Sequence, residues 1–390
     1  MADTIRTECF DETPTRVVSG PGALASSRAC LAGMGLSRVL IVCGEHVAQL
    51  PQVQEFGGCC EGCIEVAIFA GAAPDPTDQN VLEGGRVGRE FGAEAVIGIG
   101  GGSSMDCAKA IAVEIGAEGW ISAQDVPGQP TVIEHEVLPI VAVPTTAGTG
   151  SEVNHFAVIT FTASRRKLVL RHEALYPRCA VLDPTLLVSA PKMVRVAAGL
   201  DALTHAVESC VSTAATPATR RRAAEAIRGI AQYLPRVAED GGDLPAQAGL
   251  QRAAMIASLA FAQTKLGIVH AMALPLSALF GVPHGVANAI LLPHGMRFNL
   301  GADPEAFAQI AELLGARVEG LSAADAAARA PEAVESLATQ CGAPRRMSEV
   351  GVSADAFARM ADDAMPSAHV QVNPRAITRE DVLAVYEAAM

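Results

Sequence analysis

The stretch AVIGIGGGSSMDCAKAIA, residues 95–112, decides the fold of the first half of this chain. It reads as a buried strand, a glycine cluster and then an amphipathic helix. Glycines 100–102 leave no Cβ in the turn, so the backbone can approach a ligand closely. The helix start offers free N–H groups and a partial positive charge, and Ser103 and Ser104 can cap it. This suits a pyrophosphate, although a lone glycine cluster more often marks only a tight strand–helix turn.

A second loop of the same kind favours a ligand-binding site over a simple strand–helix turn. The stretch VPTTAGTGSEV, residues 143–153, also follows a strand and combines hydroxyl groups with glycines. In parallel α/β sheets ligands bind beyond the carboxyl ends of the strands, so two such loops predict a nucleotide site. The GxGxxG fingerprint is not in its usual place after the first strand, where the chain has VCGEH at residues 42–46.

Short apolar runs alternate with helical stretches through the first half of the chain. Val- and Ile-rich runs that end in Gly or Pro predict strands at 37–44, 64–71, 94–101 and 138–144. Continuous runs of this type are typical of parallel strands covered on both faces. After Pro191 the strand signals vanish, and Ala- and Leu-rich segments predict helices at 194–212, 218–234 and 246–262. We therefore predict an α/β dinucleotide-binding domain over residues 1–187 and an all-helical domain over residues 188–390.

The composition is that of a globular protein, with 390 residues, 50% of them hydrophobic and 18% charged. No apolar run reaches the roughly 18 residues of a membrane helix uninterrupted, and the start MADTIRTECF lacks signal-peptide features. A net charge of −13 without a basic run argues against a nucleic-acid partner. Scattered cysteines predict reduced thiols in a cytoplasm. Cys59, Cys60 and Cys63 lack a second ligand pair nearby, so we expect free thiols there.

An acid and three histidines lie in the apolar second half. Asp201 and His205 are four residues apart and share one face of a helix. His270 lies on an apolar helix that the GVP stretch at 281–283 breaks, and His284 begins the next helix. One acid and three imidazoles suit Zn²⁺ or Fe²⁺. On spacing alone, a metal site and a set of separately hydrogen-bonded core residues explain the pattern equally well.

Together these stretches resemble the iron-containing, group III metal-dependent alcohol dehydrogenases. The resemblance covers nearly the whole chain and rests on TPTRVVSGPGAL (13–24), GGGSSMDCAKAIA (100–112), VPTTAGTGSEV (143–153), VLDPTL (181–186), AGLDALTHAVES (198–209), PHGVANAILLPHGMRFN (283–299) and NPRAITREDV (373–382). It implies the dehydroquinate synthase-like fold of that family, with an α/β N-terminal dinucleotide-binding domain, an all-α metal-binding C-terminal domain and the active site between them. It also implies an NAD(P)-dependent oxidoreductase that interconverts a small aldehyde and its primary alcohol, and a homodimer or higher homo-oligomer.

The resemblance also implies roles for individual residues. The family's metal ligands fall on Asp201, His205, His270 and His284, and the metal, Fe²⁺ or Zn²⁺, polarises the substrate oxygen. His294 is left as a structural histidine. The predicted contacts of NAD or NADP are Gly44, Gly101, Gly102, Ser103, Asp106, Thr145, Thr146, Thr149 and Lys167.

One departure from the family concerns proton transfer. Many members read HAMAH where this chain reads HAMAL, so Leu274 replaces a histidine that is thought to help move the proton. We place Leu274 in the predicted catalytic set with His270 and His284. Its side chain predicts a more apolar pocket, with the proton supplied by water, by a cofactor ribose, or by His155 or His369.

A second departure concerns the choice of cofactor. Members that prefer NAD often carry Asp where this chain has Gly44. An acid there would bond the ribose hydroxyls and repel a 2′-phosphate. Gly44 removes that repulsion, whereas the neighbouring Glu45 can restore it.

Three other functions are open alternatives. A dehydroquinate synthase-type lyase shares the two-domain plan, but the PTTAGTGSEV loop and the Asp-first ligand set argue against it. A maleylacetate reductase-like enzyme would resemble PTTYAGSE in this loop. A weakly active protein that binds nucleotide and metal is supported only by Leu274.

Overall fold

The computed structural model describes residues 5–33, 35–58, 64–126, 129, 131–164 and 166–390. Cys59, Cys60 and Cys63, predicted to be free thiols, lie outside the described residues. The chain forms two compact units. One consists of Met1–Thr146 and Gly150–Val188, and the other of Ala147–Thr149 and Ser189–Met390.

The first unit is built on a parallel sheet, as the alternating sequence pattern predicts. Its described strands are β1 Arg6–Phe10, β2 Thr13–Ser19, β3 Arg38–Val42, β4 Glu65–Phe69, β5 Ala95–Gly100, β6 Ile140–Pro144 and β9 Cys179–Leu182, with β7 Phe156–Phe161 and β8 Arg166–Arg171 forming a separate antiparallel hairpin. The sheet order is β1-β2-β9-β6-β5-β3-β4, and only β1 and β2 pair antiparallel. The four predicted strands are β3 to β6, which confirms that prediction; hydropathy alone did not reveal the other five.

Helices cover the central strands of this sheet. The α-helices of the first unit are α1 Ala23–Gly33, α2 Glu45–Ala48, α3 Pro51–Gly58, α4 Asp78–Phe91 and α5 Gly102–Gly116. A capping box between Thr77 and Asn80 starts α4, and Gly92 ends it with a φ of 71°. All six residues of β5 are buried, so both faces of this central strand are covered as well as the edges that pair with β3 and β6. The sequence of β5 is therefore continuously apolar rather than alternating.

Gly98 allows α5 to pack directly on β5. A Cβ built at this residue would lie 2.8 Å from the Cβ of Ala108 and 3.2 Å from the Cα of Met105. Neither atom is the end of a flexible side chain, so the helix itself would have to move. The small residue thus sets the distance between the central strand and the helix that follows the glycine cluster.

The second unit contains only helices among its described elements. They are α6 Lys192–Val211, α7 Pro217–Glu239, α8 Leu244–Thr264, α9 Ile268–Phe280, α10 His284–Asn299, α11 Pro304–Leu313, α12 Ala323–Cys341, α13 Phe357–Ala364 and α14 Arg379–Ala388. The predicted helices at 194–212, 218–234 and 246–262 correspond to α6, α7 and α8. Gly281 ends α9 with a φ of 65°, and α10 begins at His284, so the predicted break is confirmed.

No single helix among the described residues is long and apolar enough to cross a membrane. One pair, α8 with α9, passes that length and composition test only when joined, and the two helices are bent by 105°. Both contribute many residues to the buried core of the second unit.

The contact at Gly98 gives a testable prediction. Gly98→Ala should lower the free energy of unfolding by about 1–3 kcal/mol, because the added methyl group overpacks the interface between β5 and α5. Urea denaturation followed by circular dichroism measures this change. The matched control is Gly57→Ala in α3, where the new Cβ would meet Ile68 at an ordinary 3.7 Å. An unchanged midpoint for Gly98→Ala would contradict the packing argument.

Candidate active site

Four side chains from three helices of the second unit converge on one point. Asp201 and His205 lie one turn apart on α6, His270 lies in the first turn of α9, and His284 begins α10. The Asp201 Oδ1 atom lies 3.9 Å from Nε2 of His205, 3.7 Å from Nε2 of His270 and 3.8 Å from Nε2 of His284. Asp201, His205 and His270 are buried, whereas the His284 side chain is 36% exposed.

Glu208 fixes the orientation of His270. Its Oε2 lies 2.6 Å from Nδ1 of His270, and its Oε1 accepts a 2.7 Å hydrogen bond from the Val269 backbone N–H. A carboxylate at Nδ1 makes that nitrogen the N–H donor and leaves the Nε2 lone pair facing Asp201. This carboxylate–histidine arrangement is the usual support of a metal-binding imidazole.

Asn288 stands at the centre of the group. Its Nδ2 lies 2.6 Å from Oδ1 of Asp201 and 3.1 Å from Nε2 of both His270 and His284. An amide nitrogen carries two hydrogens, so it cannot donate to all three acceptors at once. The Asn288 Oδ1 is buried without a hydrogen-bond partner among the described residues. The amide therefore leaves at least one of these three acceptors for another partner, such as a cation.

The donor set itself fits a divalent transition metal. One carboxylate oxygen and three imidazole nitrogens are ligands that Fe²⁺ and Zn²⁺ both accept. The ligand atoms of Asp201, His270 and His284 all lie within 4.8 Å of one another.

The protonation of the group follows from burial and mutual contact. Burial disfavours the charged carboxylate of Asp201, but the imidazoles of His205, His270 and His284 outweigh it and hold its pKa far below the usual range. Burial lowers the pKa of His205 to about 3, against the attraction of Asp201. For His270 burial acts in the same direction, yet the carboxylates of Asp201 and Glu208 raise its pKa to about 9, so a cation bound at Nε2 would replace a proton there.

In the first unit the two glycine–hydroxyl loops meet. The Thr145 backbone N–H donates to the Gly100 carbonyl at 2.9 Å, and the Thr146 hydroxyl would lie 3.5 Å from a Cβ at Gly101. Gly100 has a φ of 152°, and a Cβ there would strike the Ser104 hydroxyl at 2.4 Å, so glycine is required. These contacts bring predicted cofactor residues from both loops to one end of β5 and β6.

The start of α5 differs from the expected cap. We expected Ser103 and Ser104 to cap the helix, but Gly101 is the N-cap and no side-chain capping hydrogen bond is formed there. The backbone N–H groups at Gly102 and Ser103 are therefore not engaged by a capping side chain, as an anion site requires. The Ser103 hydroxyl instead accepts a 3.2 Å hydrogen bond from the Asp75 backbone N–H.

Lys167 also lies near this helix start. Its ammonium group is 2.5 Å from Oδ1 of Asp75, the residue whose N–H contacts Ser103. The hairpin that carries Lys167 is tied to the same segment, because the Thr160 N–H donates to the Pro76 carbonyl at 2.8 Å. The structure thus brings Lys167 and Ser103 together through Asp75.

Asp106 and Lys109 tie α5 to the second loop. The Ser151 hydroxyl donates to Oδ1 of Asp106 at 2.6 Å and accepts from the Lys109 ammonium at 2.8 Å. The Lys109 ammonium, fully buried, also donates to the Asn154 and Phe156 carbonyls at 2.9 and 2.8 Å. Asp106 therefore has protein partners that position the loop, in addition to any role towards a cofactor.

The remaining predicted residues lie in three separate places. Thr149 belongs to the segment Ala147–Thr149, which packs with the second unit. Gly44 is the N-cap of α2, and a Cβ there would lie 3.3 Å from the Ala72 carbonyl oxygen. Leu274 lies one turn after His270 on α9, as predicted, and is 39% exposed.

His294 does not join the acid–histidine group. It lines a cavity of about 340 Å³ in the second unit together with Glu335, Arg345 and Arg346. Burial and the neighbouring Arg297 lower its pKa, which favours the neutral ring. This position on α10, more than two turns after His284, agrees with a histidine outside the metal group.

Two residues of the group were missed by the sequence reasoning. Glu208 follows Asp201 and His205 at seven- and three-residue spacing, so helical periodicity could have placed it on the same face. Asn288 follows His284 by one turn and could have been found in the same way. Their roles depend on contacts with His270, 62 and 18 residues away, which no local pattern reveals.

Comparison with known proteins identifies the family of this chain. Residues 14–184 match the family model of iron-containing alcohol dehydrogenases, and residues 195–390 match the C-terminal model of the Fe-containing alcohol dehydrogenase family. The 1,3-propanediol dehydrogenase of Klebsiella pneumoniae is 41% identical over 84% of both chains. The NAD-dependent methanol dehydrogenase of Bacillus methanolicus is 38% identical over 97% of this chain and 98% of its own.

A solved structure shows the same fold over the whole length. The crystal structure of a 1,3-propanediol oxidoreductase covers all of both chains with a TM-score of 0.90 and 36% identity. The resemblance drawn from the sequence motifs is thereby confirmed. The chain belongs to the iron-containing alcohol dehydrogenase family, whose members are oxidoreductases.

Proposed function

We propose that this chain interconverts small primary alcohols, diols among them, and the corresponding aldehydes, using NAD(H) and Fe²⁺. The observation that carries the proposal is the convergence of three imidazole Nε2 atoms on a single oxygen of Asp201. The diol class is supported by the 1,3-propanediol dehydrogenase and oxidoreductase to which the chain is similar. The comparisons give no support to a lyase, to a maleylacetate reductase-like enzyme or to a weakly active binding protein.

In this proposal the side chains of the second unit hold the metal and shape its surroundings. Asp201, His205, His270 and His284 are the ligands, and the bound ion supplies Lewis-acid polarisation of the substrate oxygen. Glu208 holds His270 in the tautomer that presents Nε2. Leu274 is aliphatic and can neither donate nor accept a proton. Its role is to exclude water beside the ligand on its own helix.

The first unit would bind the cofactor through its backbone and a few side chains. The uncapped start of α5, at Gly101, Gly102 and Ser103, would receive the pyrophosphate. Thr145 and Thr146 would contact the cofactor from the second loop. Lys167, next to Asp75, would reach the ribose, and Asp106 completes the proposed set in this unit. Thr149, in the segment Ala147–Thr149, is proposed as a further contact.

Acceptance of NADP(H), use of Zn²⁺, assembly into a homodimer or larger homo-oligomer, and a cytoplasmic location remain predictions from the sequence. The metal choice stays open on chemical grounds, because the same oxygen and nitrogen ligands bind both ions. The cofactor choice depends on charge near the ribose, at Gly44 and Glu45.

The proposed activity is tested directly with purified protein. With NAD⁺ and either 1-propanol or 1,3-propanediol, we expect reduced cofactor to accumulate, as followed by its near-ultraviolet absorbance. Treatment with a chelator should abolish turnover, and added Fe²⁺ should restore it. Oxidation that is unaffected by complete metal removal, or no oxidation of any primary alcohol by iron-loaded protein, would overturn the proposal.

The proposed ligand set predicts the effect of removing one histidine. His284→Ala should weaken metal binding by at least about 100-fold, because even the loss of a supporting outer residue commonly costs 10–100-fold. Elemental analysis after dialysis measures the bound metal. His294→Ala, on the same helix but outside the group, is the matched control and should keep its metal. Full occupancy in His284→Ala would remove His284 from the site.

The residue at position 44 should influence cofactor choice through its charge. Gly44→Asp should shift the ratio of kcat/KM for NAD⁺ over NADP⁺ upwards by about tenfold, through repulsion of the 2′-phosphate. Either new side chain presses on the Ala72 carbonyl, so Gly44→Asn is needed as the uncharged control. The same shift in both variants, or a wild type that binds NAD(H) alone, would show that charge at this position does not decide the preference.

A further inference from the structure

The connection between α8 and α9 contains a strained residue. Lys265 has a φ of 56° and a ψ of −168°, a backbone region that is almost restricted to glycine. The peptide is held in place because the Lys265 N–H donates to the Phe261 carbonyl at 2.9 Å and the Thr264 hydroxyl donates to the Lys265 carbonyl at 2.8 Å. Such strain persists only where surrounding contacts enforce it, and here it lies five residues before His270.

The strained turn orients the next N–H towards a histidine from the far end of the chain. The Leu266 backbone N–H donates to Nδ1 of His369 at 3.2 Å. A nitrogen that accepts a hydrogen bond carries no proton, so the neutral ring of His369 carries its hydrogen on Nε2. The structure thereby fixes the tautomer of His369. No protein acceptor for this Nε2–H occurs among the described residues.

His369 borders the proposed metal group without belonging to it. Its ring centroid is 6.2 Å from that of His270, and the two rings are tilted by 57°. Its Nδ1 lone pair is used by Leu266, and a protonated Nε2 cannot bind a metal. The ring is therefore a hydrogen-bond donor beside the ligands rather than a further ligand.

We propose that His369 is a specificity-determining residue that donates a hydrogen bond from Nε2–H to a second hydroxyl group of the substrate. The inference rests on the proposed function and narrows its substrate class to small diols and hydroxyaldehydes. The reacting oxygen is assigned to the metal, so a neighbouring donor is available for a polar group further along the same molecule. Leu274 provides no such donor, because its side chain is aliphatic.

The experiment compares two alcohols that differ by one hydroxyl group. We expect His369→Leu to lower kcat/KM for 1,3-propanediol by about 10- to 100-fold, the usual cost of losing one hydrogen bond in a binding site. The value for 1-propanol should change by less than about threefold. His369→Gln retains an N–H donor at a similar reach and should recover most of the diol preference.

Two measurements distinguish substrate recognition by His369 from metal binding by His369 and from recognition by Lys265. Metal content should be unchanged in His369→Leu, whereas its loss would make His369 a ligand and overturn the inference. Lys265→Gly should keep the wild-type ratio of diol to alcohol, because glycine adopts the same backbone conformation without strain. A lowered ratio in Lys265→Gly would assign the recognition to the lysine ammonium instead.

The outcomes also distinguish failure of the inference from failure of the proposed function. If the wild type oxidises both alcohols and His369→Leu lowers both equally, or neither, the inference is wrong and the function stands. If iron-loaded wild type oxidises neither alcohol, the proposed function fails and this inference fails with it.

Discussion

The buried carboxylate of Asp201 is the constraint on which the second unit depends. A charge removed from water is costly unless other groups compensate for it, and the Asp201 side chain is only 5% exposed. Compensation comes from three imidazoles and one amide, carried by three different helices. Helices α6, α9 and α10 must therefore pack so that these side chains all reach the Asp201 carboxylate. The break at Gly281 and Pro283 makes this possible, because it turns the chain so that His284 returns to the group.

Further buried polar residues support the site at which α6, α9 and α10 meet. Glu208 is itself buried, and the free-energy cost of burying its charge is offset by contacts with His270 and with the Val269 N–H. These contacts hold the pKa of the Glu208 carboxyl below its usual range despite burial. Asn299 and Asn373 bond to each other, and Asn373 also accepts from the Ile268 N–H at the start of α9. Through these contacts the C-terminal part of the chain holds the first turn of the helix that carries His270.

In the first unit the main constraint is the close approach of backbone segments at the proposed cofactor site. Gly98 and Gly100 have no Cβ, so α5 packs in close contact with the end of β5. The buried Lys109 on α5 holds the second loop against the same helix. The Lys109 ammonium donates to neutral oxygens of Ser151, Asn154 and Phe156, and burial lowers its pKa to about 8. A polar interaction in the core thus fixes the relative position of two loops whose sequences are too rich in glycine to hold a shape alone.

The sequence by itself predicted four of the nine described strands, the helices α6 to α8 and the residues of the candidate metal group. Continuous apolar runs predict β3 to β6, because parallel strands are buried on both faces, and helical spacing places Asp201 and His205 side by side. Only the tertiary structure decided which distant residues support them. Glu208, Asn288 and His369 act through partners 18 to 103 residues away, and β7 and β8 are defined by pairing with each other. Local periodicity predicts which face of a helix or strand is buried. The residues that contact this face come from distant parts of the chain and depend on tertiary packing. The expected serine cap of α5 was wrong for the same reason, since the Asp75 N–H engages the Ser103 hydroxyl and the Ser104 hydroxyl packs against Gly100.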